Sequence, residues 1–353
     1  MRHWVRMFRN GGGVDPGYRR KAAFVLAVGL LTVHLRRLEK LIYFRKLRTL
    51  EIRHPPIFII GHWRTGTTLL HNLLAQDPSL ACVSTLQAFA PECFLCGGHA
   101  IEPIMSRLMP RTRPMDSVPF GTAVPQEEEF AICNMSPYSS YLGWYFPRQM
   151  PELFRKYVLF EGLSAEELAD WAEVYLAVLK KATLAAQGKR LVLKNPVNTA
   201  RLRVLSQHFP DARFIHIHRN PYEVFCSTLK LHRRLLEWLS FQRIPEMDVR
   251  ANVLSFYREM MHRFLLERSC LPKGSFTEVR YEDLTTQPMT ELAQIYSALS
   301  LPGWDQASAY FKRYIQTQHG YQRDTYDMSN KDFEEVERHW GFAIDHWGYT
   351  RPD

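Results

Sequence analysis

The sequence predicts an α/β fold of the P-loop-like kind, with three layers in which helices flank a mainly parallel central sheet. Three observations lead to this prediction. Four short apolar segments with the character of buried strands alternate with segments of helical length. A glycine-containing loop, residues 61–68, separates the first strand from the helix after it. Each strand also ends at polar or basic residues, as in parallel sheets that bind ligands at the carboxyl ends of their strands.

The predicted elements follow one another in a strand–helix order. Strands are predicted at residues 57–60, 190–193, 213–218 and 275–279. Helices are predicted at residues 67–76, 165–187, 199–208 and 249–268. The second of these begins with a capping box formed by Ser164 and Glu167, and a further helix begins at Pro221 behind an Asn220 N-cap. Residues 79–150, rich in Pro, aromatic residues, Met and Cys, are predicted to form loops and short helices around a pocket.

The loop of residues 61–68 is predicted to bind an anionic group, because such a turn directs backbone N–H groups and a helix N-terminus at one point. Gly61 and Gly66 keep the glycine spacing of the common nucleotide-binding P-loop, but Thr67 stands where that motif has Lys. The cation lies inside the loop instead, at Arg64. The missing Lys argues against metal-assisted transfer of a γ-phosphoryl group and favours the transfer of a different group.

Basic side chains follow three of the four predicted strands. Arg64 comes after the first strand, Lys194 after the second and Arg219 after the third, while Tyr281 follows the fourth. One such cation alone would be an ordinary surface charge. Because the carboxyl ends of parallel strands share one edge of the sheet, the three together predict a ligand with more than one anionic group.

Four segments, in order between residues 57 and 300, resemble the motifs of sulfotransferases that use 3′-phosphoadenosine-5′-phosphosulfate (PAPS). The segment from Arg219 to Ser227, eight residues later, resembles the motif that binds the 3′-phosphate. Lys194 matches a lysine of the cytosolic members, and Tyr281 matches a tyrosine near the adenine. The overall resemblance is greatest to the broad bacterial branch. The residues that match the 5′-phosphosulfate loop are Arg64, Thr65, Gly66, Thr67 and Thr68.

The resemblance implies an enzyme that transfers a sulfuryl group from PAPS to a hydroxyl or amine by in-line displacement. The other product is 3′-phosphoadenosine-5′-phosphate (PAP). Negative charge then develops on the leaving phosphate oxygen, and Arg64 and Lys194 are expected to neutralise it. Arg219 and Ser227 are expected to bind the 3′-phosphate, which distinguishes this donor from ATP. No metal is expected, because the leaving group is a single phosphate that cations already hold.

The general base for the acceptor is predicted within residues 125–130, an acidic segment that resembles one in bacterial sulfotransferases. Glu127 is the first candidate and Glu129 the second. The positions that supply the base in other branches do not match, since Pro196 stands where cytosolic members have His and residues 82–86 contain no acid. The alternative interpretation is an exposed acidic first turn of a helix, which is favourable to the helix dipole.

The basic charge of the chain is concentrated near its N-terminus. Residues 1–54 contain 13 Lys and Arg against three acidic residues, whereas the whole chain has a net charge of +9. We therefore predict a basic N-terminal arm, residues 1–54, and a single α/β domain, residues 55–353, with no nucleic-acid partner. The apolar run of residues 22–33 is too short to span a bilayer. It suits a helix on an anionic membrane surface, or a helix packed on the domain with its basic face in solvent.

Six scattered cysteines without a secretory signal predict a cytoplasmic protein, peripheral at the membrane if the arm binds there. The aromatic and Met-rich residues 89–150 favour a lipid acceptor, and a carbohydrate or another small molecule is the alternative. Two other functions stay open. One is a nucleotide or small-molecule kinase that uses ATP and Mg²⁺, and the other is a non-catalytic membrane-associated protein that keeps only the fold.

Secondary candidates complete the predicted site. Trp63 is an alternative to Tyr281 for the aromatic surface that contacts adenine. Arg313, His319 and Arg323 are further candidates for the 3′-phosphate. The histidines of the third strand, His216 and His218, are expected to be core residues.

Overall fold

A computed structural model of the chain describes residues 2–113, 115, 118–317 and 327–352. Contacts divide the chain into two compact units. Unit 1 comprises Met1–Arg53, Val83–Gly188 and His232–Asp248, and unit 2 comprises His54–Cys82, Lys189–Leu231 and Val249–Asp353. Two of the predicted secondary candidates, His319 and Arg323, lie outside the described residues.

Five strands and seventeen α-helices occur in the described residues. The strands are β1 (Ile57–Ile60), β2 (Leu80–Ala81), β3 (Arg190–Lys194), β4 (Arg213–His218) and β5 (Phe276–Arg280). The helices are α1 (Arg2–Asn10), α2 (Arg19–Leu31), α3 (Val33–Thr49), α4 (Thr67–Leu74), α5 (Thr85–Phe89), α6 (Phe94–Leu108), α7 (Glu128–Met135), α8 (Leu142–Tyr145), α9 (Met150–Tyr157), α10 (Ala165–Ala185), α11 (Leu202–His208), α12 (Pro221–Leu239), α13 (Glu246–Glu267), α14 (Tyr281–Thr286), α15 (Pro288–Ala298), α16 (Trp304–Thr317) and α17 (Asn330–Trp347). Short 3-10 turns occur at Pro16–Tyr18, Pro147–Gln149, Pro196–Ala200 and Arg268–Cys270.

Unit 2 contains a sheet of five parallel strands in the order β2-β3-β1-β4-β5. Ile57 of β1 lies opposite Val192 of β3 on one side and Arg213 of β4 on the other. The four predicted strands are confirmed, each within one residue of its expected bounds. The sequence pattern does not indicate β2, because two residues are too few to show an alternation. The predicted α/β class is confirmed.

One face of this sheet packs on helices that follow β1 and β5. Ile57 and Ile59 share a buried cluster with Ile215 and Ile217 of β4 and with apolar residues of α4, α14, α15 and α16. The alternation along β1 and β4 places the residues between them on the opposite face. The central strands β1 and β4 are therefore buried on both sides, which is typical of a parallel sheet covered by helices.

The opposite face carries aromatic side chains. Phe58 stacks on Phe214 with ring centroids 5.2 Å apart. His216 is buried and stacks on Phe264 of α13 at 3.9 Å, so it is the core residue that the sequence predicts. His218, at the end of β4, is half-buried. The two covered faces give the three layers of the predicted fold.

Unit 1 is built from helices, and its longest is α10. Ser164 begins α10 with the predicted capping box. The Ser164 hydroxyl accepts the Glu167 N–H at 3.1 Å, and the Glu167 carboxylate accepts the Ser164 N–H at 3.0 Å. The N-terminal helices α1, α2 and α3 belong to the same unit. No helix of the described residues is long and apolar enough to cross a membrane.

Candidate functional site

The loop of residues 61–68 holds an unusual backbone between β1 and α4. Gly61 and Gly66 have φ angles of +141° and +99°, and Arg64 has a φ of +71°, a left-handed value that is uncommon for a residue with a side chain. A Cβ on Gly61 would come within 2.3 Å of a carbonyl oxygen of β4, and one on Gly66 within 2.3 Å of the Tyr281 ring. Both positions therefore require glycine for two reasons: the close packing leaves no room for a Cβ, and the positive φ angles are unfavourable for other residues.

The loop leads directly into the N-terminus of α4. Gly66 precedes the helix and Thr67 is its first residue. The first N–H groups of a helix have no acceptor within it, and the helix dipole makes this end positive. The Thr65 hydroxyl closes the turn by donating to the His62 carbonyl at 2.8 Å. This geometry suits an anionic group at the start of α4.

The Arg64 side chain joins the loop to α12. Its Nε donates a hydrogen bond to the Ser227 Oγ at 2.7 Å, although the two residues are 163 positions apart in the chain. Ser227 is buried. The structure thus brings together two predicted site residues from separate motifs.

Arg219 is fixed by three neighbours around the same loop. Its Nε donates to the Glu223 carboxylate at 2.9 Å, and its Nη1 donates to the Arg64 carbonyl at 3.3 Å. Its guanidinium carbon lies 4.5 Å from the centroid of the Tyr281 ring. Arg219 therefore links the first turn of α12, the loop and the start of α14.

Tyr281, expected near adenine, also packs inside this arrangement. It is buried, and its ring contacts the position where Gly66 lacks a side chain. The Arg219 guanidinium covers its ring. Trp63, the alternative aromatic residue, is half-buried and meets the His62 ring edge-on at 5.1 Å. The packing of Tyr281 against the loop is a role that its position in the sequence does not indicate.

Lys194 is the last residue of β3 and is only 2 % exposed. It lies opposite Ile59 of β1, one residue before that strand ends. Burial and, second, the positive charge of Lys194 lower the pKa of His71 in α4 to about 3. His71 is therefore neutral at neutral pH, and Lys194 supplies the positive charge at this position.

The turn after β3 supports the loop through residues that no sequence motif marks as part of a site. The Thr199 Oγ1 accepts the Gly61 N–H at 2.7 Å. The Arg201 Nη1 donates to the Asn198 Oδ1 at 3.2 Å, and both side chains are buried. Buried polar groups are normally held by hydrogen bonds, so this turn is a fixed part of the site. No local pattern marks these residues, because their burial arises only in the folded sheet.

A segment after α17 is tied to the exit of β4. The Asn220 side chain donates to the Thr350 carbonyl at 3.0 Å. The Tyr349 hydroxyl lies 3.1 Å from the Glu282 carboxylate, to which it donates, and 2.9 Å from the His218 Nδ1. These bonds hold the residues on either side of Arg219, and no motif in the sequence indicates them.

The predicted bases lie in unit 1, at the start of α7. Glu127 precedes the helix, is half-buried and accepts a hydrogen bond from the Tyr141 hydroxyl. Glu129 is fully buried and accepts one from the Ser139 hydroxyl at 2.8 Å. Glu128 is also fully buried and accepts one from a tyrosine hydroxyl of α10 at 2.8 Å. The alternative interpretation is therefore right that an acidic first turn begins a helix, since Glu128 and Glu129 start α7, but wrong that this turn is exposed.

The acidic and sulfur-containing side chains do not gather into a metal site in the part of the chain that the structure describes. Among the residues that the structure describes, no group of three or more His, Cys, Asp and Glu side chains is arranged to hold a metal ion. Burial raises the pKa of the Cys93 thiol to about 11, with the negative charge of Glu39 as the second cause. This thiol is therefore protonated at neutral pH.

Comparison with known proteins gives one family. The profile described as “Sulfotransferase family” matches residues 55–306. Among curated proteins, the omega-hydroxy-beta-dihydromenaquinone-9 sulfotransferases Stf3 of Mycobacterium bovis and Mycobacterium tuberculosis are each 31 % identical to the chain over 349 residues. These matches cover 99 % of this chain and 89 % of each relative.

Solved structures give the same result at the level of the fold. Sulfotransferase STF9 from Mycobacterium avium has a TM-score of 0.70 and 19 % identity, and covers 89 % of this chain and 83 % of that one. Sulfotransferase STF1 from Mycobacterium tuberculosis has a TM-score of 0.69 and 21 % identity, and covers 96 % of this chain and 90 % of that one. Both neighbours support the P-loop-like fold.

Proposed function

Because the chain belongs to the sulfotransferase family, we propose that it transfers a sulfuryl group from PAPS to a hydroxyl group of a lipid-like acceptor. The hydrogen bond from Arg64 to Ser227 is the observation that carries the proposal. It connects the loop that resembles a 5′-phosphosulfate site with the motif that resembles a 3′-phosphate site. A donor that carries both groups fits such a paired site, whereas ATP has no 3′-phosphate.

The donor is assigned to residues around the start of α4. Loop N–H groups, with Thr67 and Thr68, hold the 5′-phosphate at the positive end of the helix. Ser227 and Arg219 hold the 3′-phosphate. Arg219 is supported for this role by Glu223, which fixes the orientation of its guanidinium.

The reaction is an in-line displacement at sulfur. The acceptor oxygen forms a new bond to sulfur while the bond from sulfur to the 5′-phosphate oxygen breaks, and the electron pair stays on that phosphate oxygen. Arg64 and Lys194 neutralise the charge that develops there. Lys194 is suited to this because its buried position keeps its charge unscreened by water.

A carboxylate accepts the proton of the acceptor. Glu127 is the proposed base, since it is half-buried and therefore more accessible than its neighbours. Glu129 is the second candidate, although its carboxylate is fully buried against Ser139. For Glu127→Gln we expect kcat to fall about 10²–10⁴-fold with little change in the affinity for PAP. If only Glu129→Gln produces this loss, the base is reassigned.

The proposed class of acceptor is based on the curated relatives. Stf3 is named for its action on a menaquinone derivative with an omega-hydroxyl group. The identity of 31 % over almost the whole chain supports a hydroxyl-bearing lipid for this protein also. Sulfation of a panel of isoprenoid and sterol alcohols, read by mass spectrometry, tests the class against carbohydrate alcohols.

The donor site is tested by thermal unfolding with PAP and with AMP. A ligand that binds the folded state raises the melting temperature, so PAP is expected to stabilise the protein and AMP, which lacks the 3′-phosphate, much less. Arg219→Ala is expected to remove the stabilisation by PAP. Arg234→Ala, on the exposed part of α12, is the matched control. Equal stabilisation by the two nucleotides would show that no 3′-phosphate is recognised.

The catalytic cations are tested by the rate of sulfate transfer from PAPS. Arg64→Ala and Lys194→Met are each expected to lower kcat about 10²–10³-fold, the usual effect of removing one group that stabilises developing charge. Transfer of phosphate from ATP in place of sulfate from PAPS would contradict the proposed function.

A further inference from the structure

Helix α2 exposes the residues that a packed helix would bury. Its buried residues are the small ones, Ala22 and Gly29. Several of its large apolar side chains point to solvent, with Phe24 61 % exposed, Leu30 60 % and Leu31 78 %. The start of the helix is attached to the rest of unit 1, because the Lys21 Nζ donates to two backbone carbonyls at the end of α12, at 2.8 and 3.2 Å. This inverted pattern leaves an apolar surface without cover from the described part of unit 1.

Helix α3 repeats the pattern after Thr32, the single residue between the two helices. The buried residue of α3 is an acid, Glu39, which pairs with Lys181 of α10. Leu41 is 81 % exposed, and further apolar side chains of the helix are also exposed. We call the exposed large apolar residues of α2 and α3 the arm surface: Phe24, Val28, Leu30, Leu31, Leu38, Leu41, Ile42 and Phe44.

The arm surface is unusual for the chain as a whole. Fourteen large apolar side chains are exposed in the described residues, and eight of them belong to it. A surface that concentrates this much exposed apolar area usually contacts a partner.

The exposed charged side chains of α2 and α3 themselves are all positive. Glu39 is the only acid in α2 and α3, and it is buried and paired. Seven cations of the two helices are exposed: Arg19, Arg20, Arg37, Lys40, Arg45, Lys46 and Arg48. A second copy of this chain would bring the same positive charge against it, so charge disfavours self-association. Exposed apolar side chains among cations complement an anionic bilayer surface.

We propose that α2 and α3 dock the protein on anionic lipid membranes through the arm surface. The apolar side chains enter the boundary between headgroups and acyl chains, and the seven cations contact the lipid phosphates. Neither helix needs to cross the bilayer for this. The benefit of such docking for a lipid acceptor rests on the proposed function, whereas the binding itself does not depend on sulfate transfer.

The experiment is sedimentation of the full chain with lipid vesicles, without donor or acceptor. We expect binding to phosphatidylcholine vesicles that contain phosphatidylglycerol, and much weaker binding to phosphatidylcholine alone. The variant Arg37→Gln/Arg45→Gln/Arg48→Gln should bind about 100-fold more weakly, since one cation near an anionic surface contributes about fivefold. The variant Leu31→Ser/Leu41→Ser should lose at least about tenfold through lost apolar burial.

Matched controls distinguish docking through the arm surface from nonspecific binding of exposed apolar side chains and from misfolding. Leu266→Ser removes an equally exposed leucine from α13, 70 % exposed, and should leave vesicle binding unchanged. The melting temperatures of all variants should stay near that of the parent chain, because the exchanged side chains are exposed. Equal binding to neutral and anionic vesicles would overturn the proposal. So would a dimer in solution that the Leu31→Ser/Leu41→Ser variant dissociates, since the occupant would then be a second copy.

Failure of the docking and failure of the proposed function are distinguishable. If vesicles do not bind but sulfate is transferred from PAPS, only the membrane proposal is wrong. If vesicles bind but PAP does not stabilise the protein, only the assignment of the donor is wrong.

Discussion

Single residues of the loop act through close contacts more than through their charge. Gly66 has no side chain because the Tyr281 ring occupies that space, and Tyr281 in turn lies against the Arg219 guanidinium. Arg219 then holds the Arg64 carbonyl. The conformation of the loop therefore depends on a chain of contacts that reaches residues more than 150 positions away.

Gly66→Ala tests this chain of contacts. The new methyl group would meet a ring that Arg219 prevents from moving, and its φ of +99° strains any residue with a Cβ. We expect a loss of about 3 kcal/mol in the free energy of unfolding, from overpacking and from the left-handed backbone together. Gly303→Ala is the control, since its φ is +84° but nothing lies within 4 Å of the added Cβ. Equal losses in urea titrations of the two variants would mean that packing against Tyr281 is unimportant.

Glu223 is a positioning residue for Arg219. In Glu223→Gln the guanidinium keeps its charge but loses a charge-assisted partner that fixes its orientation. We expect the KM for PAPS to rise about tenfold, from the loss of an interaction of roughly 1.4 kcal/mol, while kcat stays nearly unchanged.

Arg219→Lys is the companion variant, because lysine keeps the charge without the paired geometry and should show the same KM effect. A lower KM in Glu223→Gln would mean that the carboxylate only repels the donor. Steady-state kinetics with varied PAPS distinguishes the two results.

A buried ion pair joins two helices of unit 1. Glu39 of α3 pairs with Lys181 of α10, and its carboxylate also accepts the N–H groups of Leu95 and Cys96 at 2.6 and 3.1 Å. These N–H groups belong to the first turn of α6. A carboxylate from one helix therefore provides the N-terminal cap of another, which the sequence of α6 itself lacks.

Glu39→Gln is expected to destabilise the fold by about 3 kcal/mol, because it leaves the Lys181 ammonium buried without its counter-charge. The control is Glu237→Gln in the exposed pair with Arg234, for which we expect less than about 0.5 kcal/mol. Chemical denaturation measures both. If the two variants behave alike, the buried pair makes no net contribution.

At the scale of the whole molecule, neutral histidines that are buried or half-buried make stability depend on pH. Burial, the largest cause in each case, lowers the pKa values of His62, His71 and His218 to about 3. The ordinary value, which applies in the unfolded chain, is about 6.5. Below that value the unfolded chain binds protons at these positions while the folded chain does not. Their stabilising contribution is thus complete above about pH 6.5 and declines as the pH falls towards 3.

We therefore expect the free energy of unfolding to fall between about pH 7 and pH 5, by up to about 1.4 kcal/mol per pH unit for each such histidine at the acidic end. His71→Gln should reduce this slope, because one proton fewer is taken up on unfolding. His34→Gln, at an exposed position of α3, should leave it unchanged. An unchanged slope in His71→Gln would contradict the burial of that ring as a neutral group.

The sequence by itself determined the features that are local. Four strands, the loop, the capping box of α10 and the cations after three strands can be recognised because each depends on spacing or alternation within a few residues. The excess of positive charge before residue 55 is equally visible in the sequence.

Only the tertiary structure decided which distant residues meet. The bond from Arg64 to Ser227, the support of Gly61 by Thr199, the burial of Glu128 and the exposed arm surface all depend on how the elements pack. The physical reason is that a hydrogen bond or a buried charge is fixed by neighbours across the fold, and these neighbours leave no periodic trace along the chain.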